Sequence, residues 1–156
     1  MSGLELIKNL VSRHPLLSIL VLSVHDELLY AERALRGGAK GYVMKYAPIE
    51  QVMKAIRQVL HGKIYLSEEM SNRLLKKVTR GHSTTPGSDL DQLSDRELEV
   101  FQSIGEGRST REIATALRVS SSTVATHRAH IINKLKLESS RDVMRRAVEW
   151  VQAPRL

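Results

Sequence analysis

Residues 109–135 read STREIATALRVSSSTVATHRAHIINKL. Ser109 followed three positions later by Glu112 is a capping-box pattern, and it opens a helix whose buried stripe is Ile113, Ala114 and Leu117. A turn at Arg118-Val119-Ser120 separates it from a longer helix running from Ser121 to about Leu135. At about 3.6 residues per turn, Val124, Ile131 and Leu135 fall on one side of that helix and must face a core. The opposite side carries Ser122, Thr126, Ala129 and Asn133, with Ala125 and His130 at its flanks. Small and polar, this face suits entry into the major groove of duplex DNA without collision. The helix start, Ser120-Ser121-Ser122-Thr123, offers backbone N–H groups and hydroxyls to a phosphate, although simple N-capping accounts for the same residues equally well.

Working outward, Ser94 and Glu97 form another capping box ahead of Leu98, Phe101 and Ile104, and Gly105 and Gly107 punctuate the end of that helix. Ser139 or Ser140 caps a fourth helix reaching about Val151. Four short helices with a brief turn between the second and third are the arrangement of a helix-turn-helix. Charge follows the same division. From Asp89 to Glu106 six acids stand against Arg96, a balance of −5, whereas from Arg108 to Arg146 nine Lys and Arg stand against three acids, a balance of +6. The whole chain carries +7, which favours a polyanionic partner. An aromatic fraction of 4% leaves little for base stacking, the usual means of holding single strands or RNA.

The first half has a different rhythm. Ser2 and Glu5 open a helix from about Gly3 to Arg13 that is expected to bury Leu6, Ile7 and Leu10, and Pro15 stops it. Ile19 to Leu22 form a short continuous apolar run, as in a strand covered on both faces. Helix Glu27–Arg36, a second strand from Gly41 to Lys45, and a helix with Pro48 in its first turn running to about His61 complete an α-β-α-β-α order. Ser67 opens one more helix, to about Val78. Residues 79–91, TRGHSTTPGSDLD, lack hydrophobic periodicity and read as a linker between a first domain over 1–78 and a second over 92–156. Two strands cannot complete such a sheet, so elements N-terminal to it are expected to be missing.

Composition narrows the classes. With 42% hydrophobic and 26% charged residues in 156, the chain is expected to fold as a globular protein. No apolar run is long enough to cross a bilayer and Met1 opens no signal peptide, so a cytoplasmic protein without membrane contact is expected. The absence of cysteine removes disulfides and thiolate chemistry. His127 and His130 have helical spacing for one metal, but His-Glu-x-x-His and a third ligand are missing. Gly37-Gly38-Ala39-Lys40-Gly41 lacks the ending of a phosphate-binding loop and reads as a helix-to-strand turn. Arg128 lies toward the inward edge of its helix and is expected to snorkel to a phosphate or an acid.

Residues 93–137, from Leu-Ser-Asp-Arg-Glu-Leu-Glu-Val through Ile-Ile-Asn-Lys-Leu, resemble the DNA-binding domain of the LuxR family. The resemblance implies that the third helix reads the major groove and that the fourth often supports dimer contacts. Carried onto matching positions, it makes Thr123, His127 and Lys134 DNA-backbone or structural contacts and Thr126 a base-edge contact. Thr110, Arg111, Arg118, Ser121, Ser122, Ala125, Ala129 and His130 complete the expected DNA-binding set. Where many members carry Lys after Thr-Val this chain has Ala125, so the usual long basic reader is absent. Residues 2–61 similarly resemble the last three helices and two strands of a response-regulator receiver domain of the NarL/FixJ type. Ser23 resembles the hydroxyl switch residue and Lys45 the phosphate-pairing lysine. The family's acidic pocket and phosphoacceptor Asp fall upstream of Met1, and Asp26 and Glu27 follow Ser23 too closely to replace them. Met1 is therefore expected to be an internal codon of a longer gene or the start of a true truncation.

The fold implied is α/β joined to all-α, a partial doubly wound receiver followed by a four-helix helix-turn-helix domain. The function implied is a sequence-specific duplex-DNA-binding transcription regulator acting as a homodimer, with no catalytic residue, metal or cofactor. The rival is a protein-interaction modulator that pairs with a full-length regulator and inhibits it. A sensor kinase is a further possible partner.

Overall fold

A computed structural model describes residues 2–80 and 88–153. They form two compact units, each described by itself.

The first unit contains α1 (Gly3–Arg13), β1 (Leu20–Ser23), α2 (Glu27–Arg36), β2 (Gly41–Met44), α3 (Ile49–Leu60) and α4 (Glu68–Arg80). The strands are parallel, in the register Leu20↔Gly41, Val21↔Tyr42, Leu22↔Val43 and Ser23↔Met44, and α2 provides the crossover that parallel pairing requires. Asp26 begins α2, its Oδ1 accepting the Leu28 N–H at 2.8 Å, and the helix buries Leu29, Tyr30, Ala31 and Ala34. Tyr65 joins as a parallel bridge to Gly41. A Cβ at Gly41 would stand 2.8 Å from Leu20 Cδ1 and 3.0 Å from the Tyr65 carbonyl oxygen, so glycine is what lets these segments close up. Val43, Ala55, Val59 and Tyr65 form a core with Leu20, Ala47 and Val52 against it.

Three local readings are corrected. Of the expected stripe on α1, Ile7 is buried, Leu10 half-buried and Leu6 exposed, and Leu4, one turn before Ile7, is buried in place of Leu6, so the buried stripe is displaced toward the start of the helix. Pro48 is the residue before α3; its extended backbone (ψ 144°) lets its carbonyl receive Gln51 and Val52 without entering the helix. The second strand ends at Met44, one residue before the expected Lys45. Leu22 on β1 is 46% exposed, and along α3 Ile49, Met53, Ile56 and Leu60 are exposed as well.

The second unit opens with a short 3-10 helix (Ser88–Gln92), followed by α5 (Asp95–Gly105), α6 (Thr110–Leu117), α7 (Ser121–Lys134) and α8 (Ser140–Gln152). Leu98, Phe101, Ile113, Val124, Ile131 and Val143 are almost wholly buried and bring all four helices into one core. Gly105 ends α5 where it crosses α8; a Cβ there would collide with the Ala147 carbonyl. Gly107, at φ 81°, turns the chain toward α6. Of the stretch read as a linker, residues 81–87 lie outside the described residues. At its flanks α4 extends through Arg80, and Leu90 in the 3-10 helix is buried, an apolar anchor that the polar surroundings of the sequence concealed.

Candidate nucleic-acid interface

Both sequence capping boxes of this unit are present. Ser94 Oγ accepts from the Glu97 N–H at 3.3 Å while Glu97 Oε2 accepts from the Ser94 N–H at 2.7 Å, and Ser109 and Glu112 repeat the pattern at 3.3 and 2.8 Å. The Ser109 hydroxyl also donates to Glu112 Oε2 at 2.7 Å, and this bond first and the Ser109 backbone N–H second hold the Glu112 carboxyl below its ordinary range. The turn between α6 and α7 rests on Arg118, a non-glycine residue at φ 55°, whose backbone N–H closes onto Ala114 and Thr115. Its side chain is exposed, as is that of Arg111 on α6, while Thr110 is half-buried. The Ser120 hydroxyl caps α7 by accepting the Thr123 N–H at 3.1 Å, and it also meets the Ser122 and Thr123 hydroxyls at 2.7 and 2.8 Å. N-capping therefore accounts for Ser120 itself, while Ser121 and Ser122 stay exposed at the start of the helix.

Along α7 the two faces separate as the spacing predicts. Val124 and Ile131 have no solvent exposure and Leu135, just past the helix, is half-buried. Ser122, Ala125, Thr126, Ala129, His130 and Asn133 are exposed. The Thr126 hydroxyl donates to the Ser122 carbonyl at 3.1 Å, which leaves its oxygen lone pairs to accept a hydrogen bond from outside. Thr123 and His127 lie at the boundary, half-buried. His127 Nδ1 and Arg128 Nε are buried without a hydrogen-bond partner within the chain. Burial, only partly offset by the Glu97 charge, pushes the His127 pKa down and keeps this imidazole neutral at pH 7.

Glu97, read in the sequence only as a cap, has a second set of partners. It is 3% exposed, and beyond Ser94 it receives Lys134 Nζ at 2.7 Å on Oε2 and faces His130 Nδ1 at 3.4 Å on Oε1. Burial would raise its pKa, but the Lys134 and Ser94 hydrogen bonds outweigh it and hold the carboxyl below its ordinary range. Nothing local in the sequence signals a contact between residues 97 and 134.

In the first unit Ser23 and Lys45 are brought together at the C-terminal ends of the strands, where the Lys45 N–H donates to the Ser23 carbonyl at 2.7 Å and the Lys45 side chain is exposed. Ser23 Oγ accepts from the His25 N–H at 3.0 Å. Tyr42, which sequence reading passed over, is buried beside them; its hydroxyl donates to the His25 carbonyl at 2.9 Å, and burial pushes its pKa up to about 12. The apolar run around it gave no sign that this hydroxyl would be tied down. Among the described residues no helix is long and apolar enough to cross a membrane, and no three His, Cys, Asp or Glu side chains gather as a metal site would need.

An exposed helix with a small polar face, packed behind a capped helix and a tight turn, defines a helix-turn-helix DNA-binding domain. Residues 91–147 match the family model for bacterial regulatory proteins of the luxR family, and residues 1–57 match that for the response regulator receiver domain. The oxygen regulatory protein NreC of Staphylococcus carnosus is 36% identical over 151 residues, covering 95% of this chain and 70% of that protein. The chain belongs to the response regulators that join a receiver domain to a LuxR-type DNA-binding domain. Among solved structures, RcsB from Salmonella enterica serovar Typhimurium bound to promoter P1flhDC is similar, with TM-score 0.60 and 27% identity over 94% of this chain and 67% of that one. RcsB bound to promoter rprA gives TM-score 0.59 and 26% identity over 95% and 68%. Both RcsB complexes were formed with the phosphomimetic BeF3-.

Proposed function

We propose that this chain is a transcription regulator that binds duplex DNA sequence-specifically, as a homodimer, by placing α7 in the major groove. The observation that carries the reading is the exposed face of Ser122, Ala125, Thr126 and Ala129 directly opposite the buried Val124 and Ile131. In this reading Thr126 meets a base edge, Ala125 and Ala129 keep the face low, and Ser121, Ser122 and Thr123 approach the phosphates. Thr110, Arg111 and Arg118 flank the turn and contact the backbone from α6, with His127 and His130 at the margins of the same surface and Lys134 paired to Glu97. The similarity to RcsB, whose structures are bound to promoters, supports duplex-DNA binding here.

Within residues 1–156 the phosphate-switch positions are Ser23 and Lys45, without an acceptor Asp. Asp26 is engaged in capping α2, and Glu27 Oε1 accepts the Ser67 N–H at 2.9 Å. The chain is read as a binding protein and not an enzyme. A second reading, pairing of the first unit with a full-length regulator, draws support from the open edge of β1 and the exposed apolar side chains of α3. Binding of the purified chain to promoter duplexes recovered from a fragment library separates the two. Salt-dependent, sequence-selective binding supports the regulator; no duplex binding, together with capture of a full-length regulator, supports the modulator.

A further inference from the structure

We infer that Glu97 is a positioning residue for the DNA-reading helix, locking the C-terminal half of α7 to the start of α5 and thereby drawing Lys134 away from the phosphates. The inference rests on the reading of α7 as the groove helix. Glu97 Oε2 takes the Ser94 N–H and Lys134 Nζ, each at 2.7 Å, while Oε1 faces His130 Nδ1 at 3.4 Å. His130 and Lys134 are four residues apart, one turn, so a single carboxylate reaches two successive turns of α7, hydrogen-bonded to the second through Lys134 and lying close to the first at His130. Between them Ile131 supplies the buried apolar contact. Apolar packing alone is non-directional and tolerates rotation of a helix about its axis. A buried carboxylate with fixed donors does not, because any rotation that parts it from Lys134 leaves a charge uncompensated in the interior.

That restraint matters at the other end of the helix. Thr126 and Ala125 lie two turns from Lys134, and a recognition residue displaced by about an ångström loses its geometry. The Lys134 ammonium is half-exposed, yet its partner is an acid of its own chain. Its contribution to DNA binding is orientation, and a phosphate contact is not required.

The test uses the full chain, a duplex recovered from a random-sequence pool and a mixed-sequence duplex. Glu97→Gln keeps the shape and an oxygen for the Ser94 N–H but removes the charge; Lys134→Met removes the other partner. Each is expected to weaken the selected duplex roughly tenfold, the size of couplings within one network, while changing the mixed duplex little. The double variant should be no worse than either single one, Lys134→Arg should restore binding, and the slope of log K against log salt should hold. Amide exchange at the end of α7 should quicken in Glu97→Gln, a readout independent of DNA. A slope reduced by about 0.9 in Lys134→Met, with unchanged or tighter binding by Glu97→Gln, would mean that Lys134 contacts phosphate and would overturn the inference. If Glu97→Gln loses its fold by Trp150 fluorescence, Lys134→Met and Lys134→Arg decide by the same criteria. Failure of the parent chain to bind any duplex overturns the groove reading itself, which the variants do not mimic.

Discussion

The Lys45 backbone N–H donates to the Ser23 carbonyl across 2.7 Å, one step past the last paired position of β1 and β2. The two positions proposed as the phosphate switch are thereby held side by side by backbone geometry, whatever their side chains meet. The nearby acids have structural partners: Asp26 Oδ1 receives the Leu28 N–H and Glu27 Oε1 the Ser67 N–H. Incubation of the 1–156 polypeptide with acetyl phosphate should therefore leave it unlabelled by mass spectrometry. Stoichiometric addition of an acid-labile phosphate would show that one of these acids serves as an acceptor.

Arg118 occupies a left-handed position at φ 55° that glycine adopts without cost. Arg118→Gly should raise the stability of the second unit by about 1 kcal/mol, since the side chain is exposed and its Cβ is the source of the strain. If the guanidinium also meets a phosphate, the same variant should bind DNA more weakly and flatten the salt dependence by about 0.9 per subunit. Greater stability with unchanged DNA binding would remove Arg118 from the interface.

Stability should fall with acid in two stages. His127 has a folded pKa depressed by burial, so its contribution is complete above the ordinary histidine value of about 6.5 and is lost as pH falls below it through the folded value. Glu97 and Glu112, also depressed, contribute above the ordinary glutamate value of about 4.3 and lose their contribution as pH falls through their lower folded values. Denaturant unfolding followed by Trp150, the single tryptophan, should show the upper stage vanish in His127→Leu. Persistence of the upper stage in that variant would place it on another group.

The parts of this fold that were legible in the sequence are the ones set by neighbours. Ser94 with Glu97 and Ser109 with Glu112 satisfy each other within a single turn, so spacing alone located two helix starts. The division of α7 into a Val124 and Ile131 side and a Thr126 and Ala129 side followed from helical period. What escaped depends on partners distant in the chain. On α1 it is Leu4 and Ile7 that are buried and Leu6 that is exposed, a choice of face that the helix's own periodicity does not make. Tyr42 gave no sign of its bond to His25, seventeen residues away, nor Glu97 of its grip on Lys134, thirty-seven away.

The two units should differ when separated. Residues 92–151 enclose their own core at Leu98, Phe101, Val124 and Ile131 and should unfold cooperatively as a monomer. Residues 1–78 expose Leu22 and Val24 around β1 and Ile49, Met53, Ile56 and Leu60 on α3, and should self-associate or bind a hydrophobic dye. A monomeric, cooperatively folding 1–78 fragment would contradict this expectation.

Groove entry by α7 is tested most directly by comparing Ala125→Lys with Thr126→Ala on the selected and mixed duplexes over a range of salt. Ala125 is exposed and away from the Val124 and Ile131 side, so a lysine there adds a cation near DNA without disturbing the core. Affinity should rise on most sequences, and the salt dependence should steepen by about 0.9 per subunit for an added phosphate contact. Thr126, whose hydroxyl donates to Ser122, is left to accept from a base amino group; Thr126→Ala should cost roughly 1–3 kcal/mol at the preferred base pair and little elsewhere, with the slope unchanged. If both variants bind every duplex as the parent does, α7 does not enter the groove.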